Sequence, residues 1–293
     1  MKIHPEIHPE NHPENCPKSY PESYPESYPL SSSERERHRL KMQAQALIPL
    51  SERMLNGAGI AHGAQVLELG CGSGEMTLLL AAAVGPTGRV VAMDSDPAQI
   101  EAAKAKISDA GFCNFDFVLS DLNDFVPKQV FDAIAGRYFL LYIADPESAL
   151  ARMVLWVKPG GSLAFLEMDF YRGVRSSIWP PVAAETNSAI EFIADVMLDA
   201  GINPHMGVRL PSMLALYGTV HAETAAPLQF GASSIELPLE AVRSVIPMAR
   251  KLGRSDADRY DVDALIAAEL QGRDHRTVTM PPLSVAAWVR TRS

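Results

Sequence analysis

The chain has 293 residues, 47% of them hydrophobic, enough to bury a full core and more in keeping with one large domain carrying insertions than with two independent ones. Its 35 acidic against 26 basic residues give a net charge of -9, which argues against a broad basic face for a nucleic-acid backbone and in favour of a small-molecule partner. Cys16, Cys71 and Cys113 form no C-x-x-C pair and no disulfide framework, and no apolar run resembles a signal core or reaches membrane-spanning length, so a cytoplasmic chain without a membrane span is expected.

From Ile3 to Leu30 the chain repeats every four residues, first as Ile-His-Pro-Glu and later as Ser-Tyr-Pro-Glu. Each proline removes a backbone donor and blocks helix, so residues 1–33 are expected to be a disordered tail. His4, His8, His12 and Cys16 recur regularly, but an extended chain with proline beside each ligand does not close a tetrahedral metal shell, and a solvated extension is the reading adopted. Ser31-Ser32-Ser33-Glu34 then offers an N-cap, and Leu40, Leu47, Leu50, Met54 and Leu55 supply an apolar face. Residues 34–61 therefore read as an N-terminal helical segment, either one helix or two broken at Pro49.

From Gln65 strand-like and helix-like segments alternate, the sign of a parallel sheet with helices on both faces. Strand one covers 65–69 and a helix covers 75–84, stopped by Gly85-Pro86-Thr87-Gly88. Strand two covers 89–93 and ends at Asp94, after which Asp96 and Pro97 cap and open a helix to 110. Strand three, 115–120, ends at Asp121, and strand four, 131–136, ends at Arg137-Tyr138. Asp145-Pro146 opens a helix through 157, and Lys158-Pro159-Gly160-Gly161 turns into strand five, 162–167. In an open parallel sheet the ligand lies outside the carboxyl ends of the strands, so Gly70, Asp94, Asp121, Arg137, Glu167 and Asp169 should line one edge.

Further on, helices are expected over 182–200, from near Pro211, over 237–252 and over 262–271. Strand six is expected over 218–229, with His221 a satisfied core histidine, and strand seven over 276–279 and 285–290. The stretches 170–217 and 232–272 would then be helical insertions covering a substrate, rich in apolar side chains that favour an apolar or aromatic acceptor.

The sharpest local signal is Val66-Leu67-Glu68-Leu69-Gly70-Cys71-Gly72-Ser73-Gly74 with Asp94 downstream. Alternating glycines after a strand let the backbone approach a ligand, and a carboxylate at the next strand end can hold a ribose through both hydroxyls. A nicotinamide fingerprint would read G-x-G-x-x-G, whereas here the third glycine follows as G-x-G-x-G and residue 75 is Glu. A carboxylate at Glu68, inside an apolar strand, requires pairing, and Cys71 fits as a small packed side chain.

Residues 62–170 resemble the class I S-adenosylmethionine-dependent methyltransferases. Residues 66–74 match that family's first motif and Val90-Val91-Ala92-Met93-Asp94 its second, while Ser120-Asp121-Leu122 and Val157-Lys158-Pro159-Gly160-Gly161 fall where two further motifs belong. Residues 131–138, Met280-Pro281-Pro282-Leu283 and Ala286-Ala287-Trp288 also resemble the small-molecule branch of quinone and natural-product pathways.

The resemblance implies a Rossmann-like, doubly wound α/β sheet of seven strands, mostly parallel with strand seven antiparallel, in a methyltransferase domain over 62–293. It implies S-adenosylmethionine as cofactor and no required metal. Gly70, Gly72 and Gly74 would pass beneath the methionine part, Asp94 would take the ribose, Asp121 the adenine amino group, and Leu122 would pack beside the base. Glu68, Cys71 and Ser95 count with these cofactor-binding residues, and so does Arg137, which would face cofactor or substrate or serve in surface pairing. The reaction would be an in-line displacement onto a small organic acceptor, for which a base is optional. Asp169, Tyr171 and His205 are the catalytic candidates, with Glu167 also near the crevice. The alternatives are a non-methylating rearrangement or cyclisation on the same fold and a non-catalytic nucleoside-binding module. The oligomeric state stays open, a homodimer included.

Overall fold

A computed structural model describes residues 34–170 and 177–292. The repeat tail and Tyr171 lie outside these described residues.

One helix, α1 (Glu34–Gly57), passes through Pro49 without a break. Pro49 is exposed, so the backbone acceptor it leaves without a partner faces water. The alternating core follows as β1 (Gln65–Leu69), α2 (Glu75–Val84), β2 (Arg89–Asp94), α3 (Pro97–Asp109), β3 (Phe115–Leu119), β4 (Phe131–Arg137), α4 (Pro146–Met153) and β5 (Val157–Asp169). Then come β6 (Ile178–Trp179), α5 (Ala184–Asp199), α6 (Met206–Leu214), β7 (Val220–Ala225), β8 (Gln229–Phe230), α7 (Glu236–Lys251), α8 (Val262–Leu270), β9 (Val278–Thr279) and β10 (Leu283–Arg290).

The main sheet has seven strands in the order β3-β2-β1-β4-β5-β10-β7. Its first five strands are parallel, and β10 runs antiparallel to both β5 and β7. Side chains alternate across the strands, which divides the core into two layers. Val66, Val90, Ala133 and Ala135 pack with α1, α2 and α3, while Leu67, Leu69, Ile134, Leu163 and Phe165 pack with α4 and α6. Phe165 is fully buried, a position that contributes roughly 3 kcal/mol through removal of its ring from water. A third cluster joins α5, α7 and α8 through Ile190, Ile193, Leu239, Val242 and Tyr260.

Several sequence expectations shift. The α4 helix stops at Met153 and tightens into a 3-10 turn over Val154–Trp156 rather than continuing to 157. Strand β5 begins at Val157, not at 162, and absorbs the Pro159-Gly160-Gly161 turn as an irregularity, since Phe131 pairs with Val157 but Ala133 with Ser162. The expected strand six is broken at Pro227, which cannot donate to a ladder. Residues 278–279 do not belong to strand seven, because Pro281-Pro282 interrupts the run; they pair instead with β6 and β8 in a second, three-stranded sheet. The α6 helix starts at Met206, well before Pro211, because the carboxylate of Asp169 accepts the Val208 N–H at 3.0 Å and caps the first turn from another element. His221 is not a core residue: it is exposed and stacks on Trp288 with ring centroids 5.9 Å apart.

Cys71 is a free, buried thiol. Among the described residues no helix is long and apolar enough to cross a membrane.

Candidate functional site

The loop after β1 takes its shape from three glycines in the left-handed region, with φ of +68° at Gly70, +51° at Gly72 and +84° at Gly74. A Cβ at Gly70 would lie 2.6 Å from Cδ2 of Phe139, and one at Gly74 would lie 3.1 Å from Cα of Ala103. The loop is tied to the end of β2, because the Cys71 N–H donates to the Met93 carbonyl at 3.0 Å and the Gly72 N–H to Oδ2 of Asp94 at 2.8 Å. Oδ1 of Asp94 accepts the Asp96 N–H at 3.0 Å, and Asp96 in turn caps α3 by accepting from Ala98 at 2.8 Å. Each Asp94 oxygen keeps a second lone pair for hydroxyl donors from a ligand. Asp121 is exposed, and its Oδ1 accepts the Asn123 N–H at 2.8 Å.

A cavity of ≈ 880 Å³ opens over the carboxyl ends of β1, β2 and β4. One half is walled by Gly70, Cys71, Gly72, Asp94, Ser95, Asp121 and Leu122. The other is walled by apolar side chains from α1, α5 and α7, among them Leu47, Ile190, Ile193, Met197, Val245 and Met248. The small sheet closes this second half. Trp179 and Phe230 both stand opposite Val278 and so share its outer face, exposed to 67% and 68%, while Ile178, Gln229 and Thr279 on the other face line the cavity.

Behind the loop, Glu68 is buried with Oε2 lacking a hydrogen-bond partner. Burial pushes its carboxyl up to about 7, and the neighbouring Thr77 hydroxyl and Arg137 guanidinium pull it back only in part. Burial also raises the Cys71 thiol, with Glu68 and Asp94 adding to the effect, so Cys71 stays protonated and non-nucleophilic. Arg137 lines the cavity, and its pKa is lowered chiefly by desolvation. Tyr138 follows with φ +54°, the single non-glycine residue with positive φ among those described. Its hydroxyl shares a 2.7 Å hydrogen bond with Ser284, and burial raises its pKa.

The structure brings Gly70, Cys71, Gly72, Asp94, Ser95, Asp121, Leu122 and Arg137 to one cavity wall. Glu68 and Gly74 stand behind that wall. The crevice position expected for Glu167 is not observed: it is fully buried, and its oxygens accept the N–H groups of Phe139 at 3.0 Å, Leu140 at 2.7 Å and Leu141 at 3.3 Å. These contacts clamp the 3-10 turn over Leu140–Tyr142, and burial pushes the Glu167 carboxyl up to about 8. Asp169 and His205 do not line the cavity either; they face each other at the start of α6, with Nδ1 of His205 3.6 Å from Oδ1 of Asp169. The sequence reading missed Gln43, Tyr142 and Ser284 as wall residues. They carry no motif and come from α1, a turn and β10. Among the described residues no cluster of three His, Cys, Asp or Glu side chains is placed to hold a metal ion.

A methyltransferase-domain family model matches residues 60–199. The chain is 33% identical over 114 residues to the ubiquinone/menaquinone biosynthesis C-methyltransferase of Stutzerimonas stutzeri, an alignment covering 38% of this chain and 44% of that one. It is 28% identical over 134 residues to the aklanonic acid methyltransferase of a Streptomyces species, covering 45% of this chain and 61% of that one. The chain thus spans about half the length of these curated relatives. Among solved structures, a coclaurine N-methyltransferase bound to N-methylheliamine and SAH superposes with a TM-score of 0.53 at 18% identity, over 83% of this chain and 72% of that one, a likeness of fold. Residues 60–199 thus match a methyltransferase-domain model, and the sheet order and glycine loop found there are those expected from the sequence's resemblance to the class I S-adenosylmethionine-dependent methyltransferases.

Proposed function

We propose that the protein transfers a methyl group from S-adenosylmethionine to a small, apolar or aromatic organic acceptor by in-line displacement. The observation that carries this reading is the single cavity whose polar half is built by Gly70, Gly72, Asp94 and Asp121 and whose other half is apolar.

The polar half fits the cofactor. The glycines let the loop take positive φ while it packs against Phe139 and Ala103, Asp94 retains acceptor capacity for two ribose hydroxyls, Asp121 stands at the next strand end for the adenine amino group, and buried Leu122 offers a packing surface for the base. The bound cofactor supplies an electrophilic methyl group on a sulfonium. The chain's own task is orientation: to hold the acceptor atom about 3–3.5 Å from that methyl and to exclude water. Leu47 of α1 and the α5 and α7 side chains serve this by closing an apolar chamber over the strand ends. The relatives named for ubiquinone/menaquinone biosynthesis and for aklanonic acid support an acceptor of this kind.

The test is incubation with methyl-labelled S-adenosylmethionine and a panel of quinones, phenols and polyketides, or a cell extract. Label should pass into an apolar product in one-to-one step with S-adenosylhomocysteine. Product formed without consumption of the cofactor, or tight cofactor binding with no turnover on any acceptor, would overturn the reading.

A further inference from the structure

Arg137 is the one cationic side chain among the described residues that line the cavity. It ends β4 directly after the Leu69–Gly136 pairing, so it stands beside Gly70 at the junction of the two halves. Its Nη1 is buried and has no hydrogen-bond partner. A desolvated guanidinium donor is costly to leave open, and an anionic oxygen from a ligand is the group that satisfies it best. The four carboxylates of the wall, Glu75, Asp94, Asp96 and Asp121, stand at the α2 start, the end of β2, the α3 cap and just past β3. Among the described residues the apolar half contains no carboxylate and no histidine, so none of these serves there as a base toward a neutral alcohol.

We propose that Arg137 anchors the acceptor and that the acceptor is an apolar acid, which enters as its oxyanion and pairs with the guanidinium. The inference rests on the methyltransferase reading and narrows it to acidic substrates: carboxylates, ionised phenols or enolates. Such an acid releases its proton to water without help from the protein. Its oxygen, or the carbon conjugated to it, then forms the bond to the methyl carbon, while the methyl–sulfur bond breaks and leaves its electron pair on sulfur. With carbon as nucleophile, the hydrogen on that carbon afterwards departs to water as a proton. An anchor at the junction suits this chemistry, because the reacting atoms must meet there. The planar guanidinium fork also matches a carboxylate better than a point charge does.

The methionine carboxylate of the cofactor offers the same chemistry, and the experiment separates the two. Calorimetry measures the affinity of 2-naphthoate and of its neutral isostere 2-naphthamide, for the free and the S-adenosylhomocysteine-loaded protein, and of S-adenosylhomocysteine itself. Wild type should bind naphthoate about tenfold or more tighter than naphthamide, the scale of one charge-assisted hydrogen bond. Arg137→Gln should abolish that preference while leaving naphthamide and S-adenosylhomocysteine within about twofold, which also shows that the variant is folded. Arg137→Lys should retain part of it. Equal binding of the two probes by wild type, or none of either, overturns the proposal and needs no variant. Loss of S-adenosylhomocysteine affinity in Arg137→Gln with the naphthoate preference intact assigns Arg137 to the cofactor instead. Failure of wild type to bind S-adenosylhomocysteine sinks the methyltransferase reading, while the anion preference is still read on the free protein.

Discussion

Replacing Glu167 by alanine removes the acceptor of three backbone N–H groups in a site with no exposure to water. Two of these bonds, to Leu140 at 2.7 Å and to Phe139 at 3.0 Å, are of full strength, while the 3.3 Å contact to Leu141 is long. A buried donor left unsatisfied costs about 1–3 kcal/mol, so the expected loss is roughly 3–5 kcal/mol, a large part of the ~5–15 kcal/mol that holds a domain together. Urea unfolding followed by tryptophan fluorescence measures it as a fall in midpoint at unchanged slope. The same change should weaken S-adenosylhomocysteine binding, since the freed turn carries Phe139, whose ring packs on Gly70. The pH dependence has a definite sign. Burial raises the Glu167 carboxyl from 4.5 to about 8, so the native state holds its proton more tightly than the unfolded chain. Its stabilising contribution is therefore complete below the unfolded value and is lost as pH rises through about 8. The stability gap between wild type and Glu167→Gln should narrow over that interval. A loss under about 1 kcal/mol in Glu167→Ala, or a gap that widens with pH, refutes the clamp as described.

Asp94→Ala should weaken S-adenosylhomocysteine binding by at least about tenfold in calorimetry, the equivalent of one lost hydrogen bond to a charged acceptor; an unchanged affinity removes Asp94 from the ribose. Gly70→Ala forces a side chain into φ +68° with its Cβ 2.6 Å from the Phe139 ring, so a loss of about 2 kcal/mol or more is expected by chemical denaturation, and wild-type stability would show that the loop relaxes freely. Glu68 has its carboxyl raised by burial to about 7; its contribution is present at low pH and lost as pH rises through that value, so Glu68→Gln should match wild type in mild acid and exceed it in mild alkali. A urea midpoint for Glu68→Gln that falls below wild type at every pH would show that the ionised carboxylate is the form the fold requires.

What could be read from the sequence is what neighbouring residues determine. The glycines at 70, 72 and 74 are needed because the backbone there adopts positive φ, and Asp96-Pro97 opens α3 because cap and first helical residue are adjacent in the chain. Both leave local signatures. The start of α6 is set instead by Asp169, whose carboxylate reaches Val208 from the end of β5, and the Leu140–Tyr142 turn is held by Glu167 from the neighbouring strand. A carboxylate at a strand end gives the same letter whether it faces a ligand, caps a remote helix or clamps a turn. That is why Glu167 and Asp169 read as crevice residues while the structure engages both with backbone N–H groups. The small sheet was hidden for a related reason: its strands β6, β8 and β9 are two residues each, too short for any period to register.

The two halves of the cavity differ in how strongly sequence can encode them. The polar half is built on strand ends, where one residue change alters a hydrogen bond of known direction, and so Asp94 or Gly70 admits few substitutes. The apolar half is built from Ile, Leu, Met and Val on α1, α5 and α7, where contacts are non-directional and one side chain replaces another of similar volume at a cost of about 1 kcal/mol or less. An apolar wall can therefore change its preferred substrate without leaving a motif. Directional selection in such a chamber must come from the few polar groups that face it, and Arg137, with a buried donor open at the junction, is the strongest of them. An acid that meets Arg137 gains a charge-assisted bond. A neutral analogue of the same shape leaves that donor unpaired, and by this difference one residue can sort acceptors that the apolar wall alone would treat alike.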